Sequence, residues 1–244
     1  SNYMPKTVIV GLVVFNKERF LGEYGVENGK LSINFDPGDW FFGDEDIKQL
    51  TLSGNIRSIE ERAFYSCKNL EKIAIPSSVT SIGNRAFDYC CNLKEINIPN
   101  TVISIGKFIF SDCVSLKSIT IPESVTSIKD YAFSNCTSLK NIAIPESVTS
   151  IEDCAFSFCD NLKSIIIPDS VTFFGRAVFL YCSNLKNISL SRKLFDKYER
   201  QGRNLLDYRA RQGIHSFNEG STPDRGIREY LNLYALTKVE VREK

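Results

Sequence analysis

The chain has 244 residues, 43% of them hydrophobic, and thirty Lys and Arg against twenty-nine Asp and Glu leave a net charge of +1. That length allows a sizeable core, and the balance lacks the basic footprint with which a protein neutralises nucleic-acid phosphates. The longest apolar run, Thr7 to Phe15, ends at Asn16-Lys17-Glu18-Arg19, short of the roughly 20 residues that span a bilayer. Neither nucleic acid nor membrane insertion is therefore expected.

Thr7 to Phe15 follows Lys6, as the core of a secretory leader would, but Phe20-Leu21-Gly22-Glu23-Tyr24 offers no small-x-small cleavage site. The run reads as a buried strand. Ser1-Asn2 ahead of Met4 reads as a tag remnant, with the natural start at Met4 or upstream. Leu31, Ile33 and Phe35 alternate, a turn follows at Asp36-Pro37-Gly38-Asp39, and Trp40-Phe41-Phe42 lie beyond. Residues 1–46 are expected to form a β-rich cap.

From residue 47 a repeat takes over. Cys67, Cys90, Cys113, Cys136, Cys159 and Cys182 recur every 23 residues, each followed three positions later by leucine. A fixed period in this range marks a supersecondary unit stacked on copies of itself. Six units begin at Ile47, Leu70, Leu93, Leu116, Leu139 and Leu162, and a closing strand runs from Leu185 to Leu190. In each, LxxIxIP puts two isoleucines on one face of a short strand that proline ends, as at Ile119, Ile121 and Pro122. SVTSI alternates again as a second short strand. Ala132-Phe133 with Cys136 and Leu139 is predicted to return the chain through one helical or 3₁₀ turn.

The unit LxxIxIPxSVTxIxxxAFxxCxxL resembles the BspA-type leucine-rich repeat over residues 47–190. The resemblance implies an α/β solenoid: a right-handed, curved stack with a parallel sheet on its concave face. It also implies a binding role, often in adhesion or host interaction, and brings no catalytic residues. The first unit departs with Ser53 in place of proline, and the sixth with Phe173-Phe174-Gly175-Arg176.

After Leu190, apolar Leu194, Phe195, Tyr198, Leu205, Leu206 and Tyr208 recur at near-helical intervals before Gly213, and Ile227 to Tyr234 offers a second helix. Lys238 to Arg242 alternates as a strand does. Residues 191–244 are expected to be a mainly helical cap. Basic residues in 191–213 outnumber acids, a pattern read as a solvated helix face.

Equivalent cysteines in adjacent coils would stand about 4.8 Å apart on parallel Cα–Cβ vectors, a poor arrangement for disulfide torsion. They are expected to be buried free thiols, with Cys91 and Cys154 off the ladder. One histidine, His215, no phosphate-binding glycine loop and no close Cys/His set leave no catalytic, metal or cofactor site to name. Function is sought instead in columns along the stack. Lys94, Lys117, Lys140, Lys163 and Lys186 share one outward column, which Lys48 and Glu71 extend. Glu123, Glu146 and Asp169 lie beyond proline at the opposite strand ends. Between them Ser118, Asn141, Ser164 and Ile166 make a small floor, and Phe173 adds an apolar candidate nearby. Phe108 beside Tyr131 and Phe158 beside Tyr181 either pack under the flanks or form a partner patch.

The resemblance, taken with these residues, implies a monomeric, non-enzymatic protein-interaction module without cofactor, of a bacterial and effector-like protein, with secretion or injection into a host cell favoured over a resident cytoplasmic place. The alternatives are a surface adhesin binding host matrix protein and the recognition part of a larger enzyme.

Overall fold

The computed structural model describes residues 7–10, 24–27, 30–33, 49–52, 54, 56–211 and 238–242. Three strands precede the repeats: β1 (Thr7–Val10), β2 (Tyr24–Glu27) and β3 (Lys30–Ile33). Each coil then contributes short strands: β4 (Gln49–Leu52) and β5 (Ser58–Ile59), β6 (Lys72–Ala74) and β7 (Ser81–Ile82), and β8 (Glu95–Asn97). There follow β9 (Ser118–Thr120) and β10 (Ser127–Ile128), β11 (Asn141–Ala143) and β12 (Ser150–Ile151), β13 (Ser164–Ile166) and β14 (Phe173–Phe174). The chain closes with β15 (Asn187–Ser191), helix α1 (Arg192–Arg211) and β16 (Lys238–Arg242).

The result is a parallel solenoid of about six turns. Its long sheet runs β1-β4-β6-β8-β9-β11, and β13-β15-β16 follows with β13 against β11. A second row consists of β2-β3-β5-β7 and β10-β12-β14. An isolated bridge from Ile105 to Ile128 of β10 adds the intervening coil to that row. Register steps by one repeat, Asn141 facing Ser118 and Ile142 facing Ile119, so equivalent residues stack in columns. The exposed–buried–exposed pattern of β9, β11 and β13 is the period-two alternation read from LxxIxIP. The departing sequence Phe173-Phe174 keeps it, with Phe173 outside and Phe174 buried.

Core residues from all coils form one continuous cluster. Phe64, Phe87, Phe110, Phe133, Phe156 and Phe179 stack face to face at 5.3–5.8 Å. Burying each side chain contributes roughly 1.5–3 kcal/mol. The ladder cysteines are buried and free, and they do more than fill space. The Cys113 thiol donates to the Phe87 carbonyl at 3.2 Å and Cys159 to Phe133 at 3.2 Å, tying each coil to the one before.

The expected helical or 3₁₀ return keeps i to i−3 bonds of the 3₁₀ kind, such as Cys67 to Phe64 at 3.2 Å, but forms no helix, because a backbone ladder to the next coil interleaves with them. Phe64, Phe110 and Phe133 donate amide protons to Ala86, Ala132 and Ala155 of the next coil at 2.8–2.9 Å, while intervening amides turn back three residues, Tyr65 to Arg62 at 2.9 Å. A helix would direct every amide along its own axis. Here Arg62 and Ser66, each at φ 59°, and their equivalents in the following coils adopt the left-handed region, which turns alternate amides toward the neighbouring coil.

Glycine is required where coils touch most closely. A Cβ at Gly175 would lie 2.4 Å from the Asp153 amide nitrogen. At the N-terminal side, β1 pairs with β4, and the antiparallel β2–β3 hairpin joins β5 through β3. The 36–42 segment of the expected cap lies outside the described residues, as do Lys48, Ser53, His215 and the second candidate helix.

At the other end, Ser191 caps α1 through the Leu194 amide at 3.3 Å. The buried Tyr198 hydroxyl accepts from the Phe174 amide at 2.6 Å and donates to the Phe174 carbonyl at 3.1 Å. Lys197 takes the Thr172 carbonyl at 2.9 Å. Side chains of α1 thus supply the bonds that another coil would have made to the last strand of the second row.

Candidate protein-binding faces

The long sheet presents the predicted columns to solvent. Lys94, Lys117, Lys140, Lys163 and Lys186 are exposed immediately before their strands, held in file by backbone bonds such as Lys140 to Lys117 at 3.1 Å and Lys186 to Lys163 at 2.9 Å. Their charges differ in state. Lys94 is paired with Glu71 at 2.8 Å, and the adjoining column holds a Lys72–Glu95 pair at 2.9 Å. Lys117, Lys140 and Lys163 make no ion pair among the described residues. Neighbouring like charges about 5 Å apart repel by roughly 1 kcal/mol in water, which flexible lysine stems relieve by splaying.

Ser118, Asn141, Ser164 and Ile166 are exposed on β9, β11 and β13, with Ile166 at 67%. Glu123 and Glu146 are exposed beyond the prolines. Asp169 differs from them, being held by Arg242 of β16 at 2.7 Å, while the same guanidinium reaches the Ile167 carbonyl and, at 2.9 Å, the Ser189 hydroxyl. It serves the closure of the stack. Phe173, 47% exposed, lies on β14 in the second row and so on a different sheet from Ile166.

A second surface lies on the return turns. Two columns there have positive φ throughout: Arg62, Arg85, Phe108, Tyr131, Cys154, Ala177, and Ser66, Tyr89, Asp112, Asn135, Phe158, Tyr181. Phe108 and Tyr131 stack at 4.6 Å and 4°. The Arg85 guanidinium covers the stack 4.1 Å from the Phe108 ring, and its other side bonds Asp88 at 2.9 Å. Phe158 and Tyr181 pair at 4.9 Å, and Tyr65 meets Tyr89 edge-on at 5.8 Å. Tyr89, Tyr131, Phe158 and Tyr181 are 37–57% exposed. The two pairs noted in the sequence therefore stand outside the core. What sequence reading missed was that one surface contains both: Asp112 and Asn135, residue types that tolerate left-handed backbone, occupy the Phe158–Tyr181 column and were the available clue.

Beneath those turns Asp88 is fully buried in a column otherwise supplied by Tyr65, Ser111, Ser134, Ser157 and Leu180. Burial, opposed by Arg85, raises its pKa from 3.8 to about 6. One carboxylate oxygen has no hydrogen-bond partner. Burial pushes the Cys113, Cys136 and Cys159 thiols up, and the half-buried Cys91 and Cys154 are raised for the same first reason, which disfavours their thiolate forms. Among the described residues no cluster of three or more His, Cys, Asp or Glu is placed to hold a metal ion, and no helix is long and apolar enough to cross a membrane.

Parallel short strands, a leucine and phenylalanine core and closing turns at a 23-residue period define a leucine-rich-repeat solenoid. The chain belongs to the BspA type leucine rich repeat family, whose model matches residues 37–126 and 103–200 with six copies. It is similar to a leucine rich cell surface protein of Faecalibacterium prausnitzii A2-165, with 33% identity and a TM-score of 0.52, covering 59% of this chain and 39% of that one. A leucine-rich repeat protein of Bacteroides ovatus ATCC 8483 shares 26% identity at a TM-score of 0.48, covering 73% and 63% of the two chains. The T. pallidum leucine rich repeat protein shares 25% identity at a TM-score of 0.40, covering 72% and 71%. This chain thus spans less than two thirds of the first two structures. No curated protein matches it. Leucine-rich-repeat proteins generally mediate protein interactions, and repeats of this family are typically non-catalytic binding modules.

Proposed function

We propose that the chain is a protein-binding module that engages its partner across the long sheet. The observation that carries this reading is the run of exposed Lys117, Lys140 and Lys163, which make no ion pair among the described residues although nearby opposite charges do. Across the small floor of Ser118, Asn141 and Ser164, the exposed Glu123 and Glu146 form an acidic edge. A partner with one acidic and one basic strip fits this dipolar face, and complementary fields would speed its encounter. Lys94, Lys186 and Ile166 extend the contact, whereas Asp169 and Phe173 take a peripheral part.

Affinity capture with the full chain and with a K117E/K140E/K163E variant in parallel tests this. Acidic proteins retained by the first bait and lost from the second are expected, with slower association and a flatter salt dependence for any recovered partner. Identical captures and identical association rates would refute the sheet as the docking face.

A cell-surface setting is favoured by one observation, the likeness to a protein described as a leucine rich cell surface protein. In that setting the partner is a host or matrix protein met outside the cell. The effector-like reading rests on the ladder of free thiols, which is most comfortable where thiols stay reduced.

A further inference from the structure

We infer that the turn face is a second docking surface, independent of the long sheet, and that it takes a protein segment in which basic side chains alternate with apolar ones. The first support is backbone cost. Ser66, Asp112, Asn135 and Ala177 show that small residues satisfy the two left-handed columns. Yet Tyr89, Phe108, Tyr131, Phe158 and Tyr181 occupy the same columns at φ 61°, 54°, 56°, 58° and 58°. A bulky side chain is unfavourable in that region, where Asn and Asp are several-fold enriched. Core burial does not compensate, because Tyr89, Tyr131, Phe158 and Tyr181 remain 42%, 37%, 41% and 57% exposed. Folding alone would favour Asn at these positions; aromatic side chains there suit the anchor composition of binding hot spots, which the Ser, Asn and Lys of the long sheet lack.

Charge selects the partner. Asp112, Asp153 and Asp160 make no ion pair among the described residues, while the cations beside them are engaged: Arg85 with Asp88, Lys107 with Asp130 and Lys129 with Glu152. Arg176, exposed one coil beyond Asp153, marks the basic limit of the strip. Asp112 lies close enough to Tyr89 to be the leading influence on its hydroxyl. At Phe108 the ring geometry disfavours a sugar, which needs an open ring face: Arg85 covers it at 4.1 Å and Tyr131 covers its other face at 4.6 Å. That stack offers ring rims for apolar side chains, Tyr181 adds the most exposed ring of the face at 57%, and the nearby carboxylates suit basic side chains.

The test measures fluorescence anisotropy of a short labelled peptide of alternating arginine and leucine against the full chain. The variants are Y131N/F158N/Y181N, D112N/D153N/D160N and, as a control on the other face, K117S/K140S/K163S. Asparagine suits the left-handed backbone; at 153 it keeps the one oxygen that accepts from the Arg176 amide, and at 112 it keeps the acceptor for Asn135 while its amide group donates to the Ser111 hydroxyl in place of accepting from it. Both turn-face variants are expected to weaken binding by at least about tenfold, the aromatic variant with a melting temperature equal to or above that of the parent, and the sheet variant to leave binding within about twofold. Equal binding by either turn-face variant overturns the inference. So does equally tight binding of an arginine–serine peptide, or a fall in melting temperature in Y131N/F158N/Y181N showing that the rings serve packing.

Discussion

The long sheet and the turn face are stacked by the same 23-residue step, yet they place different demands on the residues that decorate them. On the sheet an outward position accepts almost anything with a strand backbone, so Lys, Ser, Asn, Ala and Ile follow one another without disturbing the isoleucines beneath. On the turns the two outward columns need positive φ, and each aromatic residue there strains the chain. The difference teaches where surface identity carries information. A repeated lysine is easily copied along a sheet, whereas an exposed tyrosine in a left-handed turn is kept against the preference of the fold.

Substitutions can break or sharpen that contrast. The largest expected effect is one that both faces share: Phe133→Ala in the middle of the ring stack should destabilise the protein by about 3–5 kcal/mol in denaturant unfolding. Tyr198→Phe comes next and acts at one end of the second row. It leaves the Phe174 amide and carbonyl without their partner and should lower stability by roughly 1–3 kcal/mol while the first coils stay protected in hydrogen exchange.

Asp88→Ser tests the underside of the turn face. Restoring the serine found in this column removes a buried carboxylate with an unpartnered oxygen, and stability at neutral pH should rise by about 1 kcal/mol or more. With a folded pKa near 6 against an ordinary 3.8, the native state takes up a proton before the unfolded chain does. Asp88 therefore penalises folding most above pH 6, and the penalty is progressively removed as pH falls toward 4. The melting-temperature difference between D88S and the parent should shrink over that window; a constant difference would show that Asp88 does not titrate there. The smallest effect is expected on the sheet, where Lys140→Ser should change stability by less than about 0.5 kcal/mol.

Much of this fold was legible because a repeat multiplies its evidence. The strand, the proline stop, the inward isoleucines and the buried cysteine ladder each recur in several coils, so their register did not depend on any single residue. The return turn, expected to be helical or 3₁₀ from the spacing of AFxxCxxL, has the i to i−3 bonds but no helix, and spacing alone does not reveal that alternate amides bond to the next coil. Of the candidate site, the lysine column could be read directly from the outward phase of β9, β11 and β13. The role of Asp169 could not, since its partner Arg242 is 73 residues away in the chain.

The amino-acid sequence by itself determined the period, the inward face of each coil and the columns that neighbouring coils align, because a constant repeat with period-two strands permits one register. Only the tertiary structure decided which polar groups meet. Tyr198 closing the second row, Arg242 claiming Asp169, and Arg85 bridging Asp88 to an exposed aromatic stack depend on side-chain reach between coils and across the chain's end, and those distances exist only once the coils are stacked.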